Sequence, residues 1–337
     1  MTPEKARIAK THLCCLAAYL FLTLLLTYPL VLQFTKAIPG DGFDGWQNYW
    51  NLWWMKVALL EEHRSPFTTD LLYHPTGVNL YFHTLNPFNG LLTLPVQLAW
   101  GLLPAYNLVV LFSFAIGGYG AYLLARYTLA QREQGSKSEA RSPKASEQQT
   151  SKSLRLASCI LHPAFVAGLI YTFAPFHFAH LLGHMQVISL EWIPFYILYL
   201  LKALAPHPSS SISRHGPLIT RDILMAAFFL VLVGLCDWYY VFYCLLFTAL
   251  LLIYLACRRH LTTRSILVVA SIGLLFALAL SPLLVPMVQE ARQFRFMVPD
   301  PAQTRALSAD LLAFITPQEF HPLWGQRAKA WASRFTS

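Results

Sequence analysis

The sequence predicts an all-α, polytopic helical membrane protein with about seven transmembrane helices plus one re-entrant or interfacial segment. Three observations carry that expectation. Of 337 residues, 56% are hydrophobic and only 12% charged, about half the roughly 25% charge of a soluble domain. Mean hydropathy is +0.46. Apolar runs close to the ~20 residues that cross a bilayer recur along the chain. They run continuously instead of alternating, which excludes an outer-membrane barrel as well as a soluble or disordered chain. The net charge is +9, but the basic residues sit between apolar runs, so membrane topology explains them and nucleic acid is not an expected partner.

The first run, 11–34, is too long for a signal-peptide core and no A-x-A site follows it, so it reads as a retained span. Further spans are expected at 105–125, 156–175, 186–204, 222–236, 239–257 and 265–288. Between Arg221 and Arg258 lie 36 residues, too many for one span. They read as a helical hairpin with Asp237-Trp238-Tyr239-Tyr240 at its tip. The stretch 89–104 has 16 residues and holds Pro95 and Pro104. That length and punctuation suit a re-entrant or interfacial segment.

Charge counting sets the orientation. Seven spans with a cytoplasmic N-terminus place sixteen of the 25 Lys and Arg inside, among them Lys5, Arg7, Lys10 and the seven basic residues of 126–155. If 89–104 also crossed, every later loop would flip and the inside count would fall to nine. The positive-inside rule therefore predicts a multi-pass cell-membrane protein with its N-terminus in the cytoplasm. Residues 1–288 form the expected transmembrane domain. Within it, 35–104 is the first extracytoplasmic loop with interfacial helices, and 131–153 is a Ser/Lys/Glu/Gln-rich flexible cytoplasmic linker. Residues 289–337 form an extracytoplasmic C-terminal segment.

The outer loops hold the residues able to carry chemistry. Asp41 and Asp44 lie three apart among Gly40, Gly42 and Gly45, just past the first span. The pair is either a general base or divalent-cation (Mg²⁺ or Mn²⁺) site, or a glycine turn with solvated acids before an interfacial helix. The aromatic segment 46–54 behind it suits headgroup depth. His74 and His83 sit among Tyr73, Tyr81, Phe82 and Asn79, a composition shared by sugar-binding linings and ordinary capping loops. His180 and His184 are spaced i, i+4, on one face if helical. They would contact substrate, or bind a metal with a further ligand, and His177 precedes them. Glu191 falls inside an apolar span, where an unpaired carboxylate is costly. Asp237 crowns the expected hairpin on the outer face, and Arg292 and Arg295 follow the last span, either to hold a lipid phosphate or as an ordinary juxtamembrane charge cluster. The six cysteines sit in or at the ends of apolar runs without zinc-ligand spacing, so they read as helix-packing residues.

The series Gly40-Asp41-Gly42-Phe43-Asp44, Asn86-Pro87-Phe88-Asn89, Ala105-Tyr106-Asn107-Leu108, Gly117-Gly118-Tyr119-Gly120, Gly168-Leu169-Ile170-Tyr171 and Glu191-Trp192-Ile193-Pro194 resembles the bacterial YfhO-like membrane proteins. These belong to the glycosyltransferase C superfamily, and the likeness covers roughly 10–300. The resemblance implies a GT-C-like helical enzyme transferring a sugar from a polyprenyl-phosphate-linked donor to an extracytoplasmic glycan, lipid or cell-envelope polymer. Asp41 and Asp44 match that family's acidic position. Its members usually have more spans and a longer chain, so a C-terminally truncated version is expected. A lipid or polysaccharide transporter and an inactive accessory subunit of a larger transferase are the alternatives. Donor sugar, acceptor, metal dependence and oligomeric state are not specified by the sequence.

Overall fold

The computed structural model describes residues 2–40, 43–139, 162–205, 219–294, 300–306, 308, 311–317 and 323–332. These residues are helical apart from turns and one antiparallel pair of two-residue strands, Thr68–Thr69 with Val78–Asn79. Five stretches are long and apolar enough to cross a bilayer: Ile8–Leu26, Leu102–Glu133, Pro163–Leu181, Met185–Leu204 and Trp238–Cys257. A sixth arises if the bent pair Thr263–Ala279 and Ser281–Gln293 counts as one span. The chain is a multi-span helical membrane protein, with five or six candidate spans among the described residues where the sequence suggested seven.

α1 (Pro3–Leu26) carries Thr23 and is capped by Thr27, whose hydroxyls donate back to Tyr19 O and Thr23 O at 2.8 and 2.7 Å. That pairing lets polar side chains sit in an apolar helix. α2 (Phe43–Lys56) runs on into a π-helical turn, Val57–Glu61. α3 (Pro87–Trp100) starts at a cap: Asn86, at φ +50, accepts from Asn89 N. At 1.5 Å per residue its 14 residues reach about 21 Å, short of the ~30 Å bilayer core. It stops at Gly101, so 89–104 is not one continuous helix. α4 (Leu102–Glu139) extends nine residues into the stretch expected as a linker, which corrects that reading for 131–139. Residues 140–153 lie outside the described residues.

Prolines divide the middle of the chain. α5 (Pro163–Thr172) and α6 (Pro175–Leu181) each begin with a proline, whose missing N–H is harmless in a first turn. α7 (Met185–Ile188) and α8 (Ile193–Leu204) are separated by Ser189–Trp192, so Glu191 sits in a helix break instead of mid-helix. α9 (Arg221–Cys236) has 16 residues, too short to pass alone as a span. α10 (Trp238–Cys257) follows after Asp237 alone; the other expected tip residues belong to its first turn. α11 (Thr263–Ala279) and α12 (Ser281–Gln293) meet at Leu280 with an 80° bend. Pro282 cannot donate to Leu278 O, the bond an unbroken helix would need there, and the Ser281 hydroxyl takes that acceptor at 2.8 Å. Short helices α13 (Pro301–Ala306) and α14 (Gly325–Ala332) follow. The chain forms two compact units, Met1–Pro282 and Leu283–Ser337.

Three apolar clusters organise the first unit. Leu52, Tyr106, Val110, Phe114, Met185 and Ile188 join α2, α4 and α7. Trp54, Met55, Ala58, Leu80 and Leu85 pin the strand-pair loop to α2. Cys15, Tyr19, Tyr122 and Phe165 lock α1, α4 and α5 together, with the Tyr19 hydroxyl donating to Phe165 O at 2.9 Å. α10 instead exposes Phe242, Tyr243, Leu250 and Ile253. An apolar face of that extent suits lipid, not water.

Candidate functional site

α2 begins where the chain leaves the first span, and it meets the α6–α7 turn at two glycines. Gly183 has φ +147, and a Cβ there would lie 2.9 Å from Gly45 N. Only glycine tolerates both that conformation and that approach. Asn48, buried in α2, fastens the contact by donating to Asp44 O at 3.1 Å and Gly183 O at 2.8 Å. The result brings Asp44, in the first turn of α2, against His184: Oδ2 and Nε2 are 2.9 Å apart. An acid in a first turn also faces the positive end of the helix dipole. His184 Nδ1 lies 3.3 Å from His180 Nδ1, and Phe176 packs edge-on to His180 with centroids 4.4 Å apart.

Asp44 and His184 are each a little more than one-third exposed, so the pair is open to solvent and to a substrate. The hydrogen-bond inventory orders it. With Asp44 ionised, His184 donates its Nε2–H to the carboxylate. Its Nδ1 then accepts the Nδ1–H of His180, which leaves His180 Nε2 as a free base. The line Asp44–His184–His180 can take a proton at one end and stabilise the resulting charge at the other. The i, i+4 spacing of the histidines marked this pair, but α6 ends at Leu181 and His184 lies beyond it, so a turn brings them together instead of a helical face. The sequence did not mark Asn48 or the Gly45–Gly183 approach, because both depend on a contact 135 residues apart in the chain.

The other expected site residues do not join this cluster among the described contacts. Asp41 and Arg295 lie outside the described residues. His74 is exposed in the loop before Gly77. His83 is half-buried, its Nε2 2.8 Å from Asn51 Oδ1 and its ring edge-on to Trp50. Burial holds its pKa below the usual histidine value. Asp237 caps α10 by accepting from Tyr239 N at 2.7 Å, and burial raises its pKa against the opposing effect of that bond. Arg292 is exposed on α12 in the second unit. Among the described residues no three His, Cys, Asp or Glu side chains are grouped so as to hold a metal ion. The described residues thus offer no donor set for Mg²⁺ or Mn²⁺.

A second polar set is buried in the bundle. Glu191, Ser113 and His177 are all fully buried. Ser113 Oγ is 2.8 Å from Glu191 Oε2 and also contacts Ile188 O. The partner of Glu191 is thus a serine hydroxyl on α4, with Cys236 Sγ 4.0 Å from its other oxygen. The described cysteines, Cys14, Cys15, Cys236, Cys244 and Cys257, form no disulfide among the described residues.

These features define a multi-span helical membrane protein with an acid–histidine line at the start of its first loop helix. No protein-family model, curated protein or solved structure matches the chain.

Proposed function

We propose that the chain is a membrane glycosyltransferase of GT-C type, transferring a sugar from a polyprenyl-phosphate donor to an extracytoplasmic acceptor. The observation that carries this reading is the half-exposed Asp44–His184–His180 line, just past the first span and backed by the aromatic face of α2. In the reaction, the acceptor hydroxyl oxygen attacks the anomeric carbon. The bond to the phosphate oxygen breaks, and the lipid phosphate leaves with the electron pair. The acceptor proton passes to the acid–histidine line. Asp41, in the same loop, is the alternative base, and the departing phosphate needs positive charge beside it. His74, His83 and Asp237 have weaker claims as substrate contacts, since His83 and Asp237 already have intramolecular partners. One base and direct displacement invert the anomeric centre. The test is NMR of the product formed by the full chain in nanodiscs from a polyprenyl-phosphate sugar and an acceptor glycan. An inverted product is expected, and a retained one, or none, overturns the proposal.

A second reading, a lipid or polysaccharide transporter, is favoured by one observation: the buried polar set of Ser113, His177, Ser189 and Glu191 within the bundle. Flux of a fluorescent lipid-linked sugar across proteoliposomes, without transfer to acceptor, would select it.

A further inference from the structure

His177 lies at the first turn of α6, fully buried, and both of its ring nitrogens face backbone carbonyls. Nδ1 is 2.7 Å from Thr172 O and Nε2 is 2.8 Å from Ile188 O. A carbonyl oxygen only accepts, so each contact is a hydrogen bond only if that nitrogen carries a hydrogen. Ile188 O also receives Leu190 N at 2.7 Å and the Ser113 hydroxyl, whose oxygen lies 2.8 Å from Glu191 Oε2. His177 Nε2 is thus the third donor on an oxygen with two lone pairs and the first to be given up. Ser113 has one hydrogen. If it goes to Ile188 O, the contact with Glu191 needs a hydrogen on the carboxyl. The cluster therefore has four short contacts and needs four hydrogens: two on His177, one on Ser113 and one on Glu191. A net-neutral cluster supplies three.

We propose that His177, Ser113 and Glu191 form a proton-binding site buried in the bundle. Its loaded state is the arrangement described, with an imidazolium at His177 and a carboxylic acid at Glu191. In the unloaded state His177 gives up its Nε2 proton, because Ile188 O keeps the Ser113 hydrogen while Thr172 O has only His177. Burial opposes a cation. Two features offset it: two charge-assisted bonds to carbonyls and the Phe114 ring stacked parallel with centroids 3.7 Å apart; His180, when charged, works against it. The titratable groups facing the site are few. His180 follows one turn along α6. Cys236 on α9 approaches Glu191. Tyr171 on α5 donates to Leu190 O, and Tyr240 on α10 donates to Val187 O. His177 fastens the end of α5 to the α7–α8 break, and the same short segment carries His180 and His184. Loading this site thus fixes the turn that presents the outer histidines. The inference stands independently of the transferase reading.

The test is ¹⁵N NMR of the full chain, histidine-labelled in nanodiscs and titrated with pH. His177 is recognised by its slow solvent exchange and by loss of its signals in His177→Asn. Two N–H groups on His177 are expected in the acidic limb, with loss of one, at Nε2, as pH rises. Glu191→Gln, whose amide still donates to Ser113, is expected to leave that transition in place. A His177 that stays a neutral tautomer throughout overturns the site. So does one that stays doubly protonated throughout, since that is a fixed ion. Loss of the second N–H in Glu191→Gln shows a carboxylate counter-ion and overturns the assigned proton on Glu191.

Discussion

Replacing Gly183 by alanine tests the approach that builds the Asp44–His184 pair. The new Cβ would meet Gly45 N at 2.9 Å at a backbone φ of +147. The obstacle is backbone, so no side chain can swing aside. Holding a non-glycine residue in such a region costs about 1–3 kcal/mol. Reaching ordinary contact needs a retreat of roughly half an ångström. That displacement would stretch the 2.9 Å Asp44–His184 contact to the limit of a useful hydrogen bond, and the 2.8 Å Asn48–Gly183 bond with it. The melting midpoint of the purified protein should fall by roughly 2–4 °C per kcal/mol. A double-mutant cycle between Asp44→Asn and His184→Gln should show coupling in the wild-type background and none in Gly183→Ala. If Gly183→Ala melts like the wild type and keeps that coupling, the two segments do not pack as described.

Three further outcomes are expected. Burial favours neutral His83, so its pKa in the fold lies below the unfolded value of about 6.5; its contribution is complete above that value and is lost as pH falls from there toward the lower folded value. Thermal midpoints measured across that window should show an acid decline that His83→Gln, which can still donate to Asn51, reduces. Asp237→Ala should cost about 0.5–2 kcal/mol through the lost cap on α10 while Asp237→Asn costs little, in chemical-denaturation midpoints. A cysteine placed at Ser138 should resist impermeant reagent in intact cells, as the charge asymmetry requires; labelling there would reverse the topology.

Continuous apolar runs made the membrane class and most spans legible. Hydropathy adds residues without regard to hydrogen bonds, so it joined helices that the backbone separates. It read 186–204 through the Ser189–Trp192 break and 265–288 through Leu280, although Pro194 and Pro282 stood in the sequence as warnings. It stopped the second span near 125, whereas α4 continues through polar residues to Glu139. Asp44, His180 and His184 were visible as residue types in the sequence. Their pairing was not, because it depends on Asn48 and two glycines meeting across the fold. His177 drew notice only as a neighbour of His180, since two carbonyl partners leave no trace in sequence.

The central claim, that Asp44 belongs to a transfer site, is tested most directly by sugar transfer from a polyprenyl-phosphate donor in membranes holding wild type or Asp44→Asn at matched levels. Asn can still accept from His184, and a half-exposed carboxylate contributes little to stability, so the variant should fold and insert normally. The wild type should transfer sugar and Asp44→Asn should lose roughly 10²-fold or more in rate. Equal rates would contradict the assignment of Asp44, and a wild type that transfers nothing would contradict the transferase itself.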